Sequence, residues 1–304
     1  MISVIIPLYN KEQQIADTLA SVLKQSFKDF EIVIVDDGST DRSVEKAFSV
    51  RDARIRLVRQ ENAGVSAARN RGVEESRFDL VAFLDADDCW KPDYLQTQYE
   101  LSRKYPQCDV FACNYEFVHA DGSIHPTIIR KLPFEGQDGI LDNYFEVASC
   151  SHPPICSISI MVRKTILQQI EGFPLDIRSG EDLLTWAKLA CTSQIAYSKT
   201  VGAEFHVAGY ALSDVPKRLP DPNNQVGLEL QKLLKDRPIS GLSRYISHWY
   251  KMRASIYMRL GMRNACICEI FRALYYDFSN YKLYIYSILI LVPKCLRHKI
   301  LSKL

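Results

Sequence analysis

Long apolar segments are scarce in this 304-residue chain: residues 283–292, near the C-terminus, form a run of about ten, and a helix needs ~20 to cross a bilayer. Glycine is missing from Leu8-Tyr9-Asn10-Lys11-Glu12, just after the first apolar run, which excludes a glycine-rich basic phosphate loop at that place. The nine cysteines contain no Cys-x-x-Cys, and Cys266-Ile267-Cys268 has no histidine near enough to complete a zinc pattern. Reduced, mostly buried thiols in a cytoplasmic protein are expected. Charge of one sign is missing too. The balance of 38 basic and 36 acidic residues gives +2, which excludes a general nucleic-acid binder. The N-terminus lacks a basic n-region and its apolar stretch is broken at Pro7, so no secretory leader is expected. No internal repeat or low-complexity tract is visible.

The acids, in contrast, are concentrated. Leu80-Val81-Ala82-Phe83-Leu84 runs straight into Asp85-Ala86-Asp87-Asp88, and no lysine or arginine lies between Arg77 and Lys91. At roughly 5 Å and an effective dielectric near 20, each like-charge pair there costs on the order of 3 kcal/mol. A hard divalent cation with oxygen ligands, Mn²⁺ or Mg²⁺, is therefore expected. A calcium loop does not fit, because its sixth and twelfth positions are Trp90 and Gln96. Asp36-Asp37 closes a second apolar run, Glu31-Ile32-Val33-Ile34-Val35. Two buried strands ending in acids imply the carboxyl edge of a parallel sheet, where ligands bind. Such a chain reads as an enzyme.

The spacing of apolar residues predicts strands over residues 2–8, 31–35, 54–58 and 80–84, with helices over 11–26 and 65–75 between them. This βαβ alternation predicts an α/β fold with a mainly parallel sheet. Further on, strands are expected at 109–117 and 157–162 and helices at 163–170, 181–190, 226–234, 242–260 and 264–276. Pro216, Pro220 and Pro222 mark a linker over 213–225. Residues 1–100 would hold a donor, 101–212 an acceptor, and 226–304 would form a helical extension. Residues 241–304 carry eleven Lys/Arg against Glu269 and Asp277, a local +9, which leaves −7 on the rest. A membrane surface is the expected partner of 281–304, peripheral on the inner face, with packing on protein as the rival.

Five blocks stand in order along the chain: Val4-Ile5-Ile6-Pro7-Leu8-Tyr9-Asn10, Val35-Asp36-Asp37-Gly38-Ser39-Thr40-Asp41, Asn62-Ala63-Gly64-Val65-Ser66-Ala67-Ala68-Arg69-Asn70, Leu84-Asp85-Ala86-Asp87-Asp88 and Gly180-Glu181-Asp182. Together they resemble the family 2 glycosyltransferases of GT-A fold, over residues 1 to about 210. The resemblance implies an inverting, metal-dependent transfer of a sugar from a nucleotide diphosphate, UDP foremost, to a glycan or polyprenyl-linked acceptor. It places cell-surface polysaccharide biosynthesis as the setting.

By the same resemblance, Pro7, Tyr9, Asn10, Asp37, Asn62, Arg69, Asp85 and Ala86 would hold the donor nucleotide, and Asp87 the metal. Asp182 would be the base that takes the acceptor hydroxyl proton, with Glu181 beside it. The residues alone leave alternatives: Asp36 and Asp37 suit the start of a helix, and Ser179-x-x-Asp182 suits a capping box. Ser39, Thr40 and Asp41 supply enough capping groups to leave Asp37 free. His206, 24 residues after Asp182, would be a second metal ligand. His152, in a loop before residue 157, stands where acceptor-facing residues are expected. A sugar nucleotidyltransferase and a non-catalytic nucleotide- or sugar-binding protein on the same fold are the rival classes.

Overall fold

Ile2–Leu8 (β1) and Phe30–Asp36 (β2) are buried at every position, as continuous β-branched runs must be when helices cover both faces of a sheet. They pair in parallel, and Ile55–Arg59 (β3) and Leu80–Phe83 (β4) extend the parallel set on either side. The computed structural model describes residues 1–207, 216, 219–290 and 292. The crossovers are Ile15–Leu23 (α1), Ser43–Ser49 (α2) and Val65–Glu75 (α3). Then come Cys89–Trp90 (β5), Tyr94–Lys104 (α4), Val110–His119 (β6), Ile124–Pro126 (β7), Asp138–Ile140 (β8) and Tyr144–Cys150 (α5). Ile160–Arg163 (β9), Lys164–Gln169 (α6), Glu181–Thr192 (α7) and Ile195–Val207 (β10) follow. The C-terminal part is helical: Gln225–Asp236 (α8), Leu242–Leu260 (α9), Arg263–Tyr276 (α10) and Tyr281–Leu289 (α11).

Among the described residues, ten strands form one sheet in the order β3-β2-β1-β4-β9-β6-β10-β5, with β7 on β6 and β8 on β10. β9 runs antiparallel between β4 and β6, so it joins the first parallel set to the pair β6 and β10. This is the GT-A architecture: a mainly parallel central sheet flanked by helices, with a helical C-terminal region.

Three departures from the sequence expectation have physical causes. The strand expected from residue 157 begins with a 3-10 turn, Ser157–Ser159, where the Ser159 hydroxyl and the Cys156 backbone bond each other. The helix α4 was hidden because its inner face includes buried Gln98 and Ser102, which break an apolar stripe. β10 was hidden because register shifts between Ser198, Val201 and Ala203 interrupt its alternation.

The C-terminal helices are not a loose appendage. Val226, Leu230, Leu242, Tyr245 and Ile246 join Trp186, Phe145 and Tyr144 in one buried cluster. Of the linker expected at 213–225, residues 213–215 and 217–218 lie outside the described residues, as do 291 and 293–304 of the tail.

Candidate active site

The carboxyl ends of β1, β2 and β4 open into one cleft of about 850 Å³. Pro7, Tyr9 and Lys11 line it after β1, Asp37 after β2, and Asp85, Ala86 and Asp87 after β4. Asn62 and the start of α3, including Arg69, form one side; Arg178 and Glu181 close the other. A parallel sheet puts all its strand ends, and the loops that follow, at one edge.

Asp85 sits on the floor. Its Oδ1 accepts from Arg69 Nη2 at 2.8 Å and its Oδ2 from the Ser157 hydroxyl at 2.8 Å. Burial pushes this carboxyl up, but Arg69 and Ser157 outweigh it and hold the group below the usual range. Arg69 is 3% exposed, so it is not the solvated arginine that helical position alone would permit. Its Nη1 lies 3.7 Å from Glu181 Oε1, and neither Nη1 nor Nε has a hydrogen-bond partner among the described residues. A buried guanidinium with unused donors beside a cleft is set for an anion.

The acids after β4 are not left without cations, contrary to the expectation from the local sequence. Lys11 Nζ pairs with Asp87 Oδ2, and Arg69 serves Asp85. Both arrive from elements distant in sequence, which a local count of charges does not see. Asp88 is 3% exposed and turns the other way, accepting the His206 backbone N–H at 2.7 Å. Burial, with Asp85 and Asp87 nearby, pushes Asp88 up to about 7 against the opposing pull of His206.

Among the described residues no group of three or more His, Cys, Asp or Glu gathers to hold a metal. Asp87 nevertheless lines the cleft and has one oxygen, Oδ1, without a partner among those residues. One carboxylate plus the oxygens of a bound diphosphate is a sufficient set for Mg²⁺, so the residues present fit an ion that arrives with its nucleotide. His206 stands at Asp88 instead, its Nδ1 3.7 Å from Asp88 Oδ1, beyond hydrogen-bond range. Asp88 holds the His206 ring's charged form above its usual range.

Asp37 is not free. Its Oδ1 accepts Gln60 Nε2 at 2.7 Å and Ala63 N at 2.9 Å, and its Oδ2 accepts Gly64 N at 2.9 Å. The amides of Ala63 and Gly64, at the start of α3, are thus bonded to this carboxylate. A carboxylate can accept about four hydrogen bonds, so one place on Oδ2 remains. Gly64 turns the chain at φ +90° to make this possible. Asn62 Nδ2 bonds the Asp37 carbonyl at 2.9 Å. Asp36 is engaged with Arg59 and Ser39, and Asp41 receives the amide of Ser43 before α2. Asn10 is likewise occupied outside the cleft lining: its Oδ1 accepts Thr40 N at 2.8 Å and so ties the loop after β1 to the loop after β2.

α7 starts at Gly180, at φ +83° and without a side-chain cap, so the capping-box alternative for Ser179 and Asp182 is not what forms. Glu181 lines the cleft. Asp182 accepts its neighbour's Leu183 N–H at 2.7 Å and lines a second cavity, of about 350 Å³, on the other side of the same helical turn. Burial pushes both acids above the usual carboxylate range; mutual repulsion adds to this at Glu181, and Arg69 opposes it at both. His152 bonds Ile128 N through Nδ1 at 3.0 Å.

The structure therefore gathers Pro7, Tyr9, Asp37, Asn62, Arg69, Asp85, Ala86, Asp87 and Glu181 in one cleft. It leaves Asn10, Asp182 and His206 on its borders. Lys11, Ser157 and Arg178 escaped the sequence reading. Lys11, directly after Asn10, and Arg178, two residues before Gly180, lay close enough to a motif to be found; Ser157 did not.

Comparison with known proteins bears on this arrangement. The sequence model described as glycosyl transferase family 2 matches residues 3–166. The glycosyltransferase GlyA of Streptococcus pneumoniae serotype 4 is 40% identical over 151 residues, 48% of this chain and 22% of that protein. The putative teichuronic acid biosynthesis glycosyltransferase TuaG of Bacillus subtilis is 34% identical over 200 residues, 65% of this chain and 75% of that protein. An uncharacterized glycosyltransferase of Rickettsia felis is 31% identical, and this chain spans 36% of its length. In fold, S. aureus TarS 1–349 in complex with UDP-GlcNAc matches with a TM-score of 0.66 at 20% identity, over 87% of this chain and 81% of TarS 1–349.

Proposed function

The chain belongs to glycosyl transferase family 2, and we propose that it moves one sugar from a nucleotide diphosphate to a hydroxyl of a glycan or polyprenyl-linked acceptor, with inversion at the anomeric carbon. The observation that carries this is buried Arg69, two of whose donors are unused, between Asp85 and Glu181 at the strand edge. UDP is the proposed nucleotide. Tyr9, 47% exposed in the cleft, offers a ring face to the base. Asp37 Oδ2 retains one acceptor place for a ring N–H, and the match to a TarS complex with UDP-GlcNAc supports the same choice.

In the proposed reaction Asp85 meets the ribose and Arg69 the diphosphate. Asp182, ionised, accepts the proton of the acceptor hydroxyl as its oxygen bonds to the anomeric carbon. The bond from that carbon to the phosphate oxygen breaks, and the electron pair leaves on the nucleotide diphosphate. Asp87 would hold Mn²⁺ or Mg²⁺, which would supply neutralisation of the leaving group. Glu181 keeps Arg69 oriented. Neither a sugar nucleotidyltransferase nor a non-catalytic binder is favoured once the family is established.

Polysaccharide assembly at the cell surface is the proposed setting, in keeping with the name of TuaG, a putative teichuronic acid biosynthesis glycosyltransferase. No helix among the described residues is long and apolar enough to cross a membrane. Exposed Tyr281, Tyr284 and Ile288 on α11, with Lys282 among them, support a peripheral contact with lipid on the inner face. A panel of nucleotide sugars with Mn²⁺ tests the activity: hydrolysis or transfer with at least one UDP-sugar is expected, and inertness toward all of them overturns the proposal.

A further inference from the structure

The first turn of α7 divides two spaces. Glu181 looks onto the donor cleft, and Asp182 lines the cavity behind it. The far wall of that cavity comes from α9, where Trp249, Met252 and Ile256 recur at helical spacing. This wall is fixed in place. Trp249 Nε1 donates to Asn224 Oδ1 at 3.0 Å, and the indole edge lies 2.8 Å from where a β-carbon on Gly180 would stand. Arg253 also lines the cavity. It is 3% exposed, bonds Glu269 through Nη2 at 3.2 Å, and keeps Nε without a partner among the described residues.

We propose that this cavity is the acceptor subsite and takes a pyranose ring of the acceptor glycan, stacked on Trp249 with one hydroxyl toward Asp182. The inference rests on the assignment of Asp182 as base. A pyranose has one C–H face and a rim of hydroxyls. The cavity offers the matching pair, an indole and two aliphatic side chains on one side, and Asp182, Asp221 and Arg253 on its edge. Its volume of about 350 Å³ lies at the small end of ligand pockets. That suits one sugar ring, and a polyprenyl chain would need a long apolar groove.

The chain has three tryptophans, and Trp90 and Trp186 are 3% and 0% exposed, so a collisional quencher such as acrylamide reports on Trp249. A panel of methyl pyranosides (gluco, galacto, manno and N-acetylgluco) should include at least one that shields Trp249 from acrylamide. Ile256→Phe fills the cavity without adding a tryptophan. It should abolish the shielding and raise the KM for that pyranoside as acceptor by about tenfold, the loss of one ring stack, while UDP affinity by calorimetry stays put. Shielding by none of the sugars, shielding by a short isoprenyl phosphate alone, or shielding indifferent to Ile256→Phe would each overturn the proposal. Asp182→Asn separates it from the assignment of the base. Shielding retained in that variant supports the subsite, and its turnover decides the base independently.

Discussion

The floor of the cleft and the wall that the first turn of α7 forms between it and the second cavity each carry a pair of acids, but the pairs differ in what they meet. On the floor, Asp85 and Asp87 are each matched with a cation, Arg69 and Lys11, and Asp85 is held below the usual carboxylate range. On the wall, Glu181 and Asp182 share Arg69 at longer range and are pushed up by burial. Acids whose charge is fixed by a cation can hold a ligand or an ion. An acid whose charge is costly is the one that can take a proton and return it. Environment, more than residue type, assigns the work.

The largest effect should come from removing the proposed proton acceptor. Asp182→Asn keeps the shape and should slow transfer by about 10² to 10⁴-fold, with UDP affinity unchanged by calorimetry; transfer at the wild-type rate would move the role to Glu181. Next is Arg69→Met, which leaves half-buried Asp85 without its cation. The cost should fall below the ~3–5 kcal/mol of breaking a fully buried pair, readable as a lower urea midpoint, and UDP binding should weaken as well. An unchanged midpoint would mean that the floor does not depend on its cation.

The metal should matter less. UDP should bind about tenfold or more tightly with Mn²⁺ than in chelator, a difference of about 1.4 kcal/mol per tenfold. Asp87→Ala should erase the difference and Asp88→Ala should not. Lys11→Met, which frees Asp87 Oδ2, should enlarge it, and equal affinity with and without chelator would remove the metal from the proposal.

The smallest effect concerns pH. Because the proposed base, Asp182, must be ionised to accept a proton and its carboxyl is raised, the acid limb of transfer should lie above the usual carboxylate range, with the rate rising through it. The same raised groups bind protons more readily in the folded state. Their contribution to stability is therefore fully present below the ordinary carboxylate pKa and lost as pH rises through the raised one. Glu181→Gln with Asp182→Asn should flatten that dependence of the urea midpoint. An acid limb at the ordinary carboxylate value would show the wall to be no different from the floor.

The parallel strands and their acids were legible because buried β-branched runs and the acids that close them are local patterns. α3 and α9 were legible from end to end: Gly64 marks the start of α3, and Gly241 and Gly261 bracket α9. What could not be read was partnership across the chain. Lys11 reaches Asp87 over 76 residues and Ser157 reaches Asp85 over 72, and no window of sequence contains both ends. The two sides of α7 were equally hidden: adjacency made Glu181 and Asp182 look like one site, whereas successive helical residues point about 100° apart. The wall at Trp249 lay in a segment read from its charge and helical period alone.

β9, from residues 101–212, pairs with β4 of residues 1–100 as well as with β6, and β5, from residues 1–100, pairs with β10 of residues 101–212. No plane cuts between the two halves without severing backbone ladders on both. Hinged closure of one half over the other, a common way for enzymes to shut out water, is therefore denied to this molecule. Any closing over a bound donor must be done by the segments around the cleft mouth while the sheet stays rigid. Amide hydrogen exchange should then report β1, β4, β9 and β6 opening together as one cooperative unit, at a rate that donor slows throughout.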